Sequence, residues 1–420
     1  MEAHAVNLET LDIITPDHYA KNGYPHREWA VLRKQSPVYW YDRPNVEPFW
    51  AITKHADIIT VARQPKLFVN GPRLLVVTRE LMIEGGDMLF RHLLNMDPPE
   101  HGRYRDLVNR RFTPRAVRTL EAEVAEISNN VMKELAARAK GGVVECDFVV
   151  DMAARVPLDV IAALIGVPRE DRAQLFRWTN ETIGSADPEF QQGGSAEETI
   201  RRAREGLFTY FSNLVEDRRR NPRDDLTSVL ATSTLNGEPL PLFELMSYFL
   251  LLVVAGNETT RNATSGGLLA FIENPEQWRM LKQDPSLLRS AVEEIVRWVT
   301  PVIQFARTAT QDYELRGEKI RQGDSLCLFY PSANRDEEVF QEPFKFDIRR
   351  NPNPHLAFGI GEHFCLGANL ARLELEVIFR ELLKWVDSAE LTAPMERLRS
   401  SFVGGIKHMP VRLNLAAGRA

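Results

Sequence analysis

Three of the 420 residues are cysteines, Cys146, Cys327 and Cys365, and the last sits in a frame that can do chemistry. It lies in Phe358-Gly359-Ile360-Gly361-Glu362-His363-Phe364-Cys365-Leu366-Gly367. Gly361 and Gly367 allow tight, left-handed or close-approach backbone around the sulfur. Phe358 offers an apolar cover that lowers the local dielectric and keeps water from a thiolate. From Ala368 to Leu375 the chain reads as a helix. Its N-terminal N–H groups and positive dipole end would stabilise a thiolate beside them. Such a frame suits a thiolate held as a metal ligand; the alternative is an inert cysteine in a buried turn.

A second constellation, Ala255-Gly256-Asn257-Glu258-Thr259-Thr260, interrupts an apolar helical stretch at 241–273. Glycine and threonine are poor helix formers, so their presence asks for a reason. Threonine hydroxyls there can donate to a preceding carbonyl, and Gly256 lets a ligand approach the backbone. An acid beside an alcohol makes a proton relay; a threonine satisfied by its own helix is the alternative. A third motif, Glu294-Ile295-Val296-Arg297, puts an acid and a guanidinium on one helix face, able to pair bidentately. His101 and Arg105 share a helical face just after the Pro-marked start at Asp97-Pro98-Pro99.

The elements that must position these residues are mostly helices. Apolar periodicity predicts them over 114–140, 154–165, 198–219, 241–273, 275–283, 286–299 and 367–385. Strand patterns occur at Val38–Tyr41 and Phe49–Thr53, which read as a hairpin, and at Ala306–Leu315, Glu318–Ile320 and Ser325–Phe329. Two more lie around Phe402–Ile406 and Val411–Leu415. Strands at both ends of a helical middle predict a mainly α fold with small β-sheets, of the α+β class. One domain, 1–420, is expected, β-rich near 35–60, 300–330 and 400–416 and helical near 90–300 and 366–386. Gly193-Gly194-Ser195 and Asn221-Pro222-Arg223-Asp224 read as loops, and no repeat or linker stands out.

Composition narrows the class. A chain this long, 44% hydrophobic, can bury a large core, and its net charge of −6 gives no hint of nucleic-acid binding. Sparse cysteines argue against a disulfide framework and suit a reducing cytoplasm. Met1–Thr15 carries acids and no long apolar run, and the longest apolar stretch, Tyr248–Ala255, is short, so neither signal peptide nor membrane anchor is expected. Against the acidic balance, Arg103, Arg105, Arg110, Arg111, Arg115 and Arg118 cluster in one short region. They form either a site for an anionic partner or a solvated face paired with local acids.

The Cys365 segment resembles the haem-thiolate loop of the cytochrome P-450 monooxygenases, Phe-x-x-Gly-x-x-x-Cys-x-Gly. The Ala255–Thr260 segment resembles the oxygen-activation stretch of their central helix. Motif order and spacing fit from Trp50-Ala51-Ile52-Thr53 to Gly404-Gly405-Ile406-Lys407. The resemblance implies the cytochrome P-450 fold, with haem b (iron protoporphyrin IX) between the central helix and the Cys-loop helix. It implies Cys365 as axial ligand of the iron, Thr259 as hydrogen-bond partner of the oxygen being activated, and Glu258 as the link for protons from solvent. By the same match His101, Arg105, Arg307 and His355 hold the haem propionates. His363 can reach one too, and Phe358, Gly361, Gly367, Ala255 and Gly256 border the cofactor. Glu294 and Arg297 meet Arg350 and lock the cofactor-binding core.

The implied activity is a bacterial monooxygenase using O2 and electrons from a ferredoxin, itself reduced by a separate NAD(P)H-dependent ferredoxin reductase. A monomer is implied, with no nucleic acid. A peroxide-driven peroxygenase and a non-catalytic haem sensor are the competing classes; peroxygenase relatives generally lack the acid–alcohol pair. The segments that would line a substrate pocket, Leu74–Phe90, Phe176–Leu207, Phe249–Glu258, Val302–Phe305 and Ser401–Val403, are mostly apolar. Their region carries few fixed charges beyond Arg73, Arg79, Glu80 and Glu84. Val253–Asn262, Asn351–Leu356 and Gly405–Lys407 look like the hydroxylases of sterol side chains and methyl-branched lipids. Thr53–Ile58 looks like a terpene-alcohol hydroxylase, so the substrate class stays open.

Overall fold

The computed structural model describes residues 6–82, 91–183, 187–191 and 195–418. Its axis is the helix Leu242–Glu273, 32 residues long and apolar on nearly every side. By length and composition alone this helix could cross a bilayer, but it runs through the main core, where a helix hydrophobic all round belongs. Gly267 sets how closely its neighbours approach. A Cβ there would stand 2.7 Å from Phe379 and 2.8 Å from Ile295. The Leu288–Val299 and Ala368–Trp385 helices therefore pack directly on the central helix, and the Arg155–Ile165 helix covers another side of it.

The sheets are small. The largest has five strands in the order Val38–Tyr41, Phe49–Ile52, Ser325–Phe329, Gln304–Ala309 and Phe68–Val69. Its first two strands form the expected antiparallel hairpin, with Val38 opposite Ile52. Side chains alternate across it. Phe49, Ala51, Cys327 and Phe329 enter one apolar cluster, while Trp50, Ile52, Leu326 and Leu328 enter another. Both faces are covered, so these short strands read as continuous apolar runs.

Several expectations are corrected. The 306–315 run is two strands, Gln304–Ala309 and Tyr313–Leu315, and the second pairs locally with Glu318–Ile320. Near the C-terminus the strand runs Ile406–His408; Val403 makes only an isolated bridge to Val302. The 114–140 helix is broken into Pro114–Arg118 and Glu121–Ala136. The β-rich stretch near 35–60 ends in the helix His55–Ala62, and the helical middle contains the strand Val143–Asp147, paired with Pro410–Leu415. Gly193 and Gly194 lie outside the described residues.

The structure brings Glu294, Arg297 and Arg350 together. Glu294 and Arg297 are fully buried and joined by two bonds of 2.8 Å. Arg350 Nε reaches both Glu294 oxygens, at 3.1 and 3.3 Å. Glu294 also accepts the backbone N–H of Asp347 and the side-chain amide of Asn353, while Arg297 donates to the carbonyls of Asn334 and Pro343. Charge and backbone groups are satisfied together, which is what a buried ion pair requires. The network ties the Leu288–Val299 helix to the chain that leads into the Cys365 loop.

Candidate active site

The Cys365 loop is held by its own backbone. The N–H of Cys365 donates to Phe358 O at 2.9 Å, that of Gly359 to Leu356 O at 2.9 Å, and that of Phe364 to Gly361 O at 3.1 Å. Gly361 has φ of 79°, in the left-handed region, and a Cβ there would stand 2.5 Å from the carbonyl of Ala62. No other residue type fits that contact. Gly367 differs from expectation: its φ is −82°, and nothing lies where its Cβ would be. It lines the cavity beside the sulfur. Cys365 is open to the cavity, yet the protein packed around it pushes its thiol up, while the Gly367 N–H and the charges of Arg105 and Arg372 pull it down. The Arg372 guanidinium stacks on the Phe358 ring at 4.5 Å and pairs with Glu293 at 2.6 Å.

A cavity of about 440 Å³ opens over this loop. Cys365, Phe358 and Gly367 form one wall, and Ala255, Gly256 and Thr259 of the central helix another. His101, Arg105, Arg307 and His363 border the same space. Arg105 donates to Phe364 O at 2.7 Å, and Arg307 is almost wholly buried. The rings of His101 and His363 lie 4.1 Å apart, with His101 Nδ1 3.3 Å from Glu362. His363 Nε2 is buried without a partner among the described residues. Burial and the nearby Arg307, His101 and Arg105 charges push His363 down to about 2, so it stays neutral unless an anion joins it. A thiol, two guanidiniums and an orphaned imidazole around one apolar slot fit a metal-bearing ring with carboxylate arms, which is haem.

His355 is not part of this set. Its Nε2 lies 3.0 Å from Glu293, and its Nδ1 accepts the Ala357 N–H, away from the cavity. The Glu293–Arg372 ion pair captures the imidazole, and burial of Glu293 is outweighed by His355 and Arg372, which hold its carboxyl down to about 2.

On the central helix Thr259 Oγ1 donates to Ala255 O at 2.8 Å and borders the cavity. Glu258 is buried and paired with Arg261, whose Nη1 reaches Asn180 at 3.1 Å. Burial raises Glu258 and Arg261 opposes the rise; Glu258 Oε1 has no partner among the described residues. Gly256 borders the cavity, and a Cβ there would stand 2.9 Å from Ile161, so the glycine also admits the Arg155–Ile165 helix.

Each expected pocket segment contributes, through Leu74, Thr182, Leu250, Val302, Phe305 and Phe402 among others. Arg73 turns to Glu47 and Glu80 to Arg399, and neither they nor Arg79 line the cavity; Glu84 lies outside the described residues. Tyr330 was not anticipated: it is buried and borders the cavity, as Arg307 does. His92 and Arg204, also unanticipated by name, line it as well. No local pattern marks these residues, because each comes to the cavity from a different part of the chain.

Comparison with known proteins agrees with this geometry. The family model "Cytochrome P450" matches residues 77–388. A steroid C26-monooxygenase of Mycolicibacterium smegmatis is 39% identical over 405 residues, covering 94% of this chain and 92% of that one. A methyl-branched lipid omega-hydroxylase of Mycobacterium tuberculosis is 39% identical over 416 residues, covering 97% and 94%. The structure of a Mycobacterium marinum cytochrome P450 in complex with pseudoionone superposes with a TM-score of 0.89 at 34% identity, covering 97% of this chain and 100% of that one.

Proposed function

The chain belongs to the cytochrome P450 family and is a haem-thiolate monooxygenase, and from that premise we propose its substrate, partner and residue roles. It hydroxylates a sterol side chain or a methyl-branched lipid as a single-domain cytoplasmic enzyme, with electrons from a separate ferredoxin. The observation that carries this reading is the cavity, where Cys365, Arg105, Arg307 and Thr259 border one largely apolar space. Such a lining selects apolar ligands by burial, at roughly 25 cal/mol per Å² removed from water. The two relatives named above act on a steroid and on a methyl-branched lipid, which supports that substrate class.

When bound, haem supplies the oxygen-activating iron, and a Cys365 thiolate ligand favours O–O cleavage. Arg105, Arg307, His101 and His363, which border the cavity, would hold its carboxylates. Thr259 Oγ1 keeps lone pairs toward the cavity while its proton rests on Ala255 O. Glu258, raised by burial, retains a proton more readily than an exposed acid and passes it toward that hydroxyl. Arg103, Arg110, Arg115 and Arg118 are exposed. They flank the Cys365 side, where Asn369 bonds Phe112 O at 3.0 Å, and form the face for an acidic ferredoxin.

The test is a Soret-shift panel on the haem-loaded protein with sterols, methyl-branched acids and terpene alcohols, followed by turnover. Product from a sterol or branched lipid with NAD(P)H, ferredoxin reductase and ferredoxin supports the reading. Product with peroxide alone identifies a peroxygenase, and shifts confined to terpene alcohols replace the substrate class.

A further inference from the structure

Beside the Cys365 loop, side chains from three elements meet in a cluster that lies mostly outside the cavity. Phe358 belongs to the loop and borders the cavity, and its carbonyl accepts the Cys365 N–H at 2.9 Å. Arg372 lies about one turn into the Ala368–Trp385 helix and does not border the cavity. Its guanidinium carbon stands 4.5 Å from the Phe358 ring centroid. One aromatic ring thus touches both the cavity and a cation outside it.

That cation is held in one place. Arg372 Nε donates to Glu293 Oε1 at 2.6 Å and Nη2 to Oε2 at 2.9 Å, a flat two-point fork that an ammonium cannot make. Glu293, on the Leu288–Val299 helix, is fixed in turn by His355. His355 Nδ1 accepts the Ala357 N–H, so the ring proton sits on Nε2, 3.0 Å from Glu293 Oε2. The His355 side chain is 3% exposed, and those of Arg372 and Glu293 are 30% and 31% exposed, so water screens the pair only in part. One carboxylate stands against one guanidinium. The next acid on the Arg372 helix, Glu376, faces Arg289 at 3.8 Å.

We propose that Arg372 is a positioning residue: oriented by Glu293 and His355, it fixes Phe358 beside Cys365, and its compensated charge sets how readily iron held by that cysteine takes an electron. The inference rests on Cys365 as the ligand and extends it to residues outside the cavity. The reason is the sign of the local field. An unopposed cation near the site stabilises an added electron, an unopposed carboxylate opposes it, and the apolar cover of Phe358 leaves either poorly screened. Paired, the two charges nearly cancel.

The experiment is a potentiometric titration of the haem-loaded wild type, Glu293→Gln, Arg372→Gln and Arg372→Lys, with the ferrous carbonyl spectrum of each. Glu293→Gln leaves Arg372 unopposed and should shift the ferric–ferrous equilibrium toward ferrous about tenfold, which is about 59 mV for one electron. Arg372→Gln leaves Glu293 unopposed and should shift it by a similar factor the other way. Arg372→Lys keeps the charge without the fork or the flat stack, and should recover part of the Arg372→Gln shift. The opposite signs carry the test, because a merely loosened loop moves both Gln variants in one direction. Two shifts of the same sign, or none beyond about twofold, overturn the proposal. Should Arg372→Gln not retain haem, Glu293→Gln decides: a midpoint above the wild type supports the proposal, and one at or below it overturns it. A wild-type ferrous carbonyl form without the red-shifted thiolate band overturns the Cys365 reading and the proposal together.

Discussion

Two walls of one cavity are built on different principles. The wall around Cys365 is rigid by local necessity: Gly361 in a left-handed conformation against Ala62, backbone bonds inside the loop, and the Glu294–Arg297–Arg350 cluster behind it. The opposite wall, with Leu74, Leu250, Val254, Val302, Phe305 and Phe402 among its lining, relies on apolar side chains that many others could replace. Chemistry is fixed where the backbone itself is specified; substrate choice is left to side-chain volume and a few polar atoms.

That contrast can be broken from the rigid side first. Arg297→Ala takes from the buried Glu294 one of its two cations, leaving Arg350 alone, and from the Asn334 and Pro343 carbonyls their donor, an effect of about 3–5 kcal/mol. Denaturant titration should show the loss, and little haem should be retained. A stable, haem-replete Arg297→Ala protein would show that the cluster does not hold the loop. Gly361→Ala comes next, because its Cβ meets a backbone oxygen that cannot yield and its φ is unfavourable; about 1–3 kcal/mol is expected. The same measurement on Leu250→Met, a volume-conserving change in the opposite wall, should differ from wild type by less than about 1.5 kcal/mol.

The difference also explains what the sequence disclosed. Cys365, Gly361, Thr259 and the Glu294–Arg297 pair were legible because each imposes a demand on nearby backbone or on its own helix. The placement of His355 could not be read locally, because its ring meets Glu293, itself paired with Arg372, on two other helices. Tyr330, His92 and Arg204 carried no local signal, since only the tertiary fold brings them to the cavity. The strand Val143–Asp147 was hidden inside a helical region because its partner, Pro410–Leu415, lies near the other end of the chain.

Smaller effects sharpen the account of the central helix and the arginine face. Thr259→Ala should leave substrate-induced spectral shifts intact while lowering product formed per NAD(P)H consumed several-fold, with peroxide released instead. Unchanged coupling would remove this hydroxyl from the proton route. The weakest expected effect is at the surface. Arg110→Glu should slow reduction by ferredoxin, and the wild-type rate should fall with ionic strength, since the Debye length is roughly 10 Å at 0.1 M. Insensitivity to both would make the arginines a solvated face.

The central claim is that Cys365 is the thiolate that ligates haem iron at the base of this cavity. It is tested most directly by the absorption spectrum of the ferrous carbonyl form in Cys365→Ser. The account predicts that the red-shifted, thiolate-type Soret band of the wild type disappears in the variant. Retention of that band would contradict it.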